Sequence, residues 1–268
     1  MDLRGGSADA LATLTDELDS VSRGKASDRV ADELFTISQT LRAEPGLRRI
    51  ATDAALETSA KQGLMKQIFE GKVSADTLGL LLTAVGSRWT RARDLADALE
   101  RVSEIAVLRS AGKDADTVAD ELFGFARTVA TEPGLRDALA NPQRSVEDKA
   151  GLVAALLDGK AHSATVTLAT QSLAGTYGTV GNALEIYRGL AAAVSGAGVA
   201  TVYAAKELSK SERDRLQKAL AEQYDRDIHL NEVVDASVLG GIRVEIGDDV
   251  IDGTVSSRLD DARRKLAG

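Results

Sequence analysis

The chain has 268 residues, of which 44% are hydrophobic but only 3% aromatic, with no cysteine and a net charge of −8. That length can bury a substantial core. The missing cysteines exclude disulfides, thiol redox chemistry and a Cys-based zinc site, and the acidic balance excludes a nucleic-acid face, which phosphate contacts would make basic. With so few rings, the core must be built from small aliphatic side chains, which favours closely packed helices. The start, Met1-Asp2-Leu3-Arg4-Gly5-Gly6-Ser7, lacks the basic-then-apolar pattern of a secretory signal, and the apolar run from Leu78 to Val85 is far too short to span a bilayer. The expectation is a cytoplasmic chain that meets a membrane only through a partner.

In chain order, residues 8 to 21 place Leu11, Leu14, Leu18 and Val21 on one helical face, and Gly24 ends the segment. A second helix follows from about Asp28, with Val30, Leu34, Ile37 and Leu41 as its stripe. Glu44-Pro45-Gly46 breaks it, because Pro suits the first turn of a new helix and not the interior of an old one. Further helices are predicted over 60–69, 76–88 and 91–108.

The pattern then restarts. Val30-Ala31-Asp32-Glu33-Leu34-Phe35 returns as Val118-Ala119-Asp120-Glu121-Leu122-Phe123, and Glu44-Pro45-Gly46-Leu47-Arg48 returns as Glu132-Pro133-Gly134-Leu135-Arg136, an offset of 88 in both (118 − 30 and 132 − 44). The same offset relates Lys61 to Lys149, Gly71-Lys72 to Gly159-Lys160, and Ala8-Asp9-Ala10-Leu11 to Ala96-Asp97-Ala98-Leu99. An unbroken offset through loops as well as helices means duplication. Since Ala96 lies inside the last helix of the first copy, that helix should also be the first of the second copy. Two bundles sharing a helix would make a stiff rod.

The second copy should close with a helix over about 182–194, and Ser195-Gly196-Ala197-Gly198 is the best linker in the chain. Beyond it, Ala200 to Ala204 reads as a strand, Ser209-Lys210-Ser211-Glu212 as a capping box before a helix carrying Leu216, Ala219 and Leu220, and Asp227 to Val234 as a second strand. Ile242, Val244 and Ile246 alternate with Arg243 and Glu245 in the period of a strand with one buried face. Gly247-Asp248 interrupts and Val250-Ile251 resumes, a hairpin pattern. Gly240-Gly241 marks a bend or a place where another backbone comes very close. After Asp252-Gly253-Thr254, a last helix is predicted with Val255, Leu259, Ala262 and Leu266 on its stripe. The fold class is therefore mostly α: a duplicated N-terminal helical bundle, 1–95 and 96–195 with a helix in common, then a small α+β domain over 199–268.

Chemistry is hard to find. Gly71-Lys72, Gly112-Lys113 and Gly159-Lys160 lack the upstream Gly and following hydroxyl of a phosphate-cradling loop. Gly175, Gly178 and Gly181 follow no strand and read as sites of close helix contact or as helix weakeners, not a dinucleotide fingerprint. The two histidines, His162 and His229, fall in different predicted domains. Asp32-Glu33, Asp120-Glu121 and Asp248-Asp249 could do acid–base work, but the first two recur in the repeat and read as solvated helix faces. Trp89, with Tyr177 as its counterpart in the second copy, reads as core packing, with an interface anchor as the sharper alternative. The expectation is no catalytic residue, no metal and no cofactor.

The block from Val234 to Leu259 resembles the C-terminal signature of the δ subunit of F-type ATP synthase, the oligomycin-sensitivity-conferring protein family. Asp235, Leu239, Gly240, Gly241, Ile242, Val244, Ile246, Gly247, Asp248, Ile251, Asp252, Gly253, Thr254 and Leu259 fit in order and without gaps. Ala236 stands where the family usually has Pro soon after the acidic residue. Leu139, Asn141, Pro142 and Lys149 match the family's bundle pattern in the second copy, whereas the first copy has Asp53-Ala54 at the Asn-Pro positions. The doubled bundle is similar to the longer δ subunits of actinobacteria.

That resemblance implies a non-catalytic stator subunit, one copy per complex, peripheral on the cytoplasmic face of the plasma membrane. It would grip the N-terminal helices of α subunits with a bundle and hold the peripheral stalk's b subunit with the small domain. The resemblance points to the first helix of a bundle for the α contact, hence Leu11 and Leu14 or their counterparts Leu99 and Val102, although core roles are equally open to each. It assigns Gly240, Gly241 and Asp252 to the fold and stalk-binding surface of the small domain. A free helical-repeat adaptor would fit the duplication but not the signature, and an enzyme of unrecognised type lacks any nucleophile, base and metal constellation.

Overall fold

The computed structural model describes residues 3–21, 25–195, 198–224, 228–235, 238, 240–246 and 249–254. The turn at Gly247-Asp248, the C-terminal helix carrying Val255, Leu259, Ala262 and Leu266, and the middle of the 195–198 linker lie outside these residues. The chain forms two compact units, Met1–Ala191 and Ala192–Gly268.

The first unit is helical: α1 (Gly6–Val21), α2 (Lys25–Ala43), α3 (Pro45–Thr52), α4 (Thr58–Phe69), α5 (Ala75–Gly86), α6 (Ala92–Ser110), α7 (Ala115–Thr131), α8 (Pro133–Ala140), α9 (Val146–Leu157), α10 (Ser163–Gln171) and α11 (Val180–Ser195), whose last four residues belong to the second unit. Pro45 and Pro133 each occupy the first turn of a short helix, where a missing N–H costs nothing. The duplication is written into the element starts: Pro45 and Pro133, Thr58 and Val146, Ala75 and Ser163, and Ala92 and Val180 each lie 88 residues apart. Helix α6 starts 88 residues before α11 and 86 after α1.

Its surroundings show the consequence. Helix α6 packs against α1, α2, α3 and α5 of the first repeat and against α7 and α10 of the second. Every residue from Asp94 to Leu108 except Arg101 is buried. The stripe of α2 is equally complete, with Val30, Leu34, Ile37 and Leu41 all inaccessible. Burying one such aliphatic side chain contributes about 1.5–3 kcal/mol, so this aliphatic seam is the main source of cohesion in the unit.

The second unit holds β1 (Gly198–Ala204), α12 (Lys210–Tyr224), β2 (Ile228–Val234), β3 (Ile242–Ile246) and β4 (Asp249–Asp252) in one sheet of order β2-β1-β3-β4. Strands β1 and β2 run parallel, joined by the α12 crossover, while β3 and β4 add antiparallel. Ala200, Val202, Leu220, Ile228, Leu230, Val244 and Ile246 form the core, with Leu216 and Ala221 packed on it. Ala219, expected on the α12 stripe, is exposed; Leu216 and Leu220 set the face toward the sheet, and Ala219 lies beside it. The capping box is present, with Ser209 N donating to Glu212 Oε2 at 2.8 Å and Glu212 N donating to Ser209 Oγ at 3.4 Å.

Candidate functional site

Three features stand out: a buried charged seam, a groove on α1, and a backbone crossing in the small domain. The seam belongs to α6. A helix buried on every side has no face on which to put its acids in water, so each must find a partner indoors. Asp94 accepts from Ser7 Oγ at 2.8 Å and from Arg91 N at 3.2 Å. Arg42 of α2 reaches Asp97 at 3.0 Å and also pairs with Glu100. Glu100 takes two further bonds from Thr176, through its N–H at 3.0 Å and its hydroxyl at 2.6 Å. Gly175 makes room for that contact, since a Cβ there would overlap the Glu100 carboxylate. The close approach expected at this glycine is real, but it admits a carboxylate and not a helix.

One turn further, Tyr177 donates its hydroxyl to both oxygens of Glu104, at 2.8 and 3.0 Å, and Arg101 Nη1 lies 3.3 Å from the same carboxylate. Burial nevertheless dominates and pushes the Glu104 carboxyl from its ordinary 4.5 up to about 8. The Tyr177 ring meets Tyr187 edge-on at 5.7 Å. Tyr177 is therefore core, whereas its counterpart Trp89 is half-buried and donates Nε1 to Ala84 O at 2.8 Å at the end of α5.

Of the acidic pairs read as solvated, Asp32 is exposed but Glu33 is not. Glu33 holds the start of α5, accepting from Ser74 N at 2.9 Å, Ser74 Oγ at 2.7 Å and Thr77 Oγ1 at 2.6 Å. Burial alone would raise its carboxyl, but these bonds and one from Arg29 outweigh it and hold the group at about 2. Glu121 repeats the device 88 positions on, accepting from His162 N at 2.8 Å and from Thr165 Oγ1. His162 itself caps α10, its Nδ1 accepting from Ala164 N at 3.1 Å.

The four apolar positions singled out for partner contact separate into two kinds. Leu14, Leu99 and Val102 are 0% exposed and belong to the core. Leu11 is half-buried and lines a shallow groove of about 490 Å³ with Leu3, Ala8, Ala12, Thr15 and Arg101. Leu99, the α6 position that matches Leu11, keeps no exposed surface, whereas Leu11 does.

In the small domain, Gly241 has φ +80, and a Cβ on it would lie 3.0 Å from Thr254 Cα and closer still to the Gly253 carbonyl oxygen. Gly253 N donates to Ile242 O at 2.9 Å across the same crossing. This is the close backbone approach that the glycine pair suggests. Asp252 is exposed and accepts from Thr254 N at 2.9 Å, a bond that holds its carboxyl below the usual range. Gly240 precedes β3 and is half-buried. Asp252 and Gly241 thus converge on the Gly253-Thr254 corner, while Leu11 and its fellows lie in the other unit.

The structure is thus a helical unit with a buried charged seam, followed in the chain by a compact mixed-sheet domain. Among the described residues no three His, Asp or Glu are grouped to hold a metal, and no helix is long and apolar enough to cross a membrane. The family model of the ATP synthase delta (OSCP) subunit matches residues 102–266, a span that begins inside α6 and leaves most of the first repeat outside. The chain is 49% identical over 269 residues to the ATP synthase subunit delta of Nocardioides sp., covering 99% of itself and 98% of that relative. It is 39% identical to that of Streptomyces coelicolor over 99% of itself and 98% of the relative, and 37% identical to that of Thermobifida fusca over 99% and 100%. The chain belongs to the ATP synthase delta (OSCP) subunit family and is a non-catalytic, peripheral component of that complex.

Proposed function

We propose that the chain is the stator link of a proton-driven ATP synthase, joining the α subunits at the top of the catalytic head to the b subunit of the peripheral stalk. A rotary motor makes ATP only if its head is kept from turning with the rotor, so the link must resist torque. The observation that carries this reading is α6, one helix buried along almost its whole length and packed against α1, α2, α3 and α5 as well as α7 and α10. Bending between the repeats would pull Thr176 away from Glu100 and Tyr177 away from Glu104. On this reading 1–95 and 96–195 form two bundles sharing α6, and 199–268 is the stalk-binding domain, held at the cytoplasmic face of the plasma membrane by its partners.

The head contact falls on α1, whose Leu11 groove is open to an amphipathic helix, and not on the counterpart positions Leu99 and Val102, which are closed. Leu14 supports that surface from beneath. The corner formed by Gly240, Gly241, Gly253 and Asp252 shapes the stalk-binding surface. The test is capture from a detergent extract of the source cell on the immobilised full chain. Recovery of the α, β and b subunits is expected; an extract that contains intact synthase and yields none of it contradicts the reading.

A further inference from the structure

A cleft of about 870 Å³ opens where the starts of α6 and α11 meet the α2–α3 corner, and five arginines line it: Arg4, Arg42, Arg48, Arg91 and Arg93. In a chain of net charge −8, such a concentration of one basic residue type needs a reason. The acids nearby account for Arg42 but not for Arg48, Arg91 and Arg93. Asp94 is engaged by Ser7 and the Arg91 amide, and Asp97 and Glu100 by Arg42 and Thr176. Arg48 is fixed in place by Nη1 bonds to Leu41 O at 3.0 Å and Arg42 O at 3.2 Å, so it points a preset fork without being neutralised. Arg48 and Arg91 pair with no carboxylate among the described residues, and Arg93 lies 4.0 Å from the already engaged Asp94. Arg42 Nη1 is buried without a hydrogen-bond partner.

We propose that this cleft binds an acidic peptide segment that lays carboxylates on the guanidinium forks of Arg48, Arg91 and Arg93. Arginine is the residue suited to this, because its planar donors match a carboxylate two at a time. The donors come from α3 and from the start of α6, so they are spread along the cleft and not gathered around one point as a phosphate nest would be. Leu3, Tyr177 and Ile186 give the wall apolar patches against which the residues between the carboxylates pack. The volume admits several residues of an extended chain.

The test uses the immobilised full chain, the Arg91→Gln/Arg93→Gln double variant, and a library of short synthetic peptides varied among Ala, Leu, Ser, Glu and Lys. Both substituted arginines are exposed and neither anchors a neighbouring element, so the variant keeps the fold. Retained peptides are expected to carry two or more Glu, to be released by high salt, and to bind the double variant about tenfold more weakly. Retention without acidic bias, equal retention by the variant, or binding of tripolyphosphate with no peptide retained would each overturn the proposal.

Discussion

Replacing Gly241 with Val should melt the small domain while leaving the helical unit intact. Gly241 sits at φ +80, where an ordinary side chain costs about 1–2 kcal/mol and a β-branched one more. The new Cβ would also meet the Gly253 carbonyl and lie 3.0 Å from Thr254 Cα, both backbone atoms with no rotamer to yield. Forcing that overlap apart costs a further 1–3 kcal/mol or so, as overpacking of a tight core does. The total, about 2–5 kcal/mol, approaches the whole stability of a small domain. The crossing is tied to the sheet through the Gly253–Ile242 bond, so β3 should lose its pairing with β1 and β4. Hydrogen exchange read by mass spectrometry on the full chain is the assay: amides of Gly198–Ala204 and Ile242–Ile246 should lose protection, those of α2 and α6 should keep it, and affinity for the b subunit should fall in parallel. Unchanged protection of β1 and β3 in the variant would refute the reasoning, and unchanged b affinity would detach the crossing from stalk binding.

Glu104→Gln should flatten the pH dependence of stability. With its carboxyl raised from 4.5 to about 8, Glu104 is protonated in the folded chain where the unfolded chain is ionised, so stability falls as pH rises through that window, by at most about 1.4 kcal/mol per pH unit. Urea unfolding at pH 5 through 8 should show this slope in the parent and its loss in the variant; equal slopes would contradict it. Arg42→Met should cost about 3 kcal/mol in the same assay, because it leaves Asp97 and Glu100 buried without their cation, and a change under about 1 kcal/mol would show that Thr176 alone satisfies them. Leu99→Ala should cost about 2–5 kcal/mol as a core truncation, whereas Leu11→Glu should leave the unfolding midpoint nearly unchanged and weaken binding to the isolated catalytic head. The reverse pattern would return the head contact to the second repeat.

Much of this was legible in the residues. The offset of 88 runs through loops as well as helices, in strings such as Glu44-Pro45-Gly46 and Glu132-Pro133-Gly134, and helix starts such as Pro45 and Pro133 keep it. The Gly-Gly pair announced a close approach, and Gly241 makes one with Gly253. What escaped is the chemistry of the seam. Periodicity assumes one buried face, but α6 serves two cores and buries all of its faces, so Asp94, Asp97, Glu100 and Glu104 look like ordinary solvent-facing positions. Glu33 escaped for a related reason: its partners Ser74 and Thr77 are about forty residues away, beyond any local pattern. The one signal available was the repeat itself, since Glu121 recurs with Thr165 at the same spacing as Glu33 with Thr77. Leu14 and Leu11 share a stripe, and nothing in their spacing says that one faces a core and the other a groove.

Whether this chain keeps the catalytic head from turning with the rotor is decided by depleting it from inverted membrane vesicles of the source cell and following proton-driven ATP synthesis. Depletion should abolish synthesis while the head still hydrolyses ATP, and adding back the full chain should restore synthesis where the Gly241→Val variant does not. Undiminished proton-driven synthesis in vesicles shown to lack the chain would contradict the account.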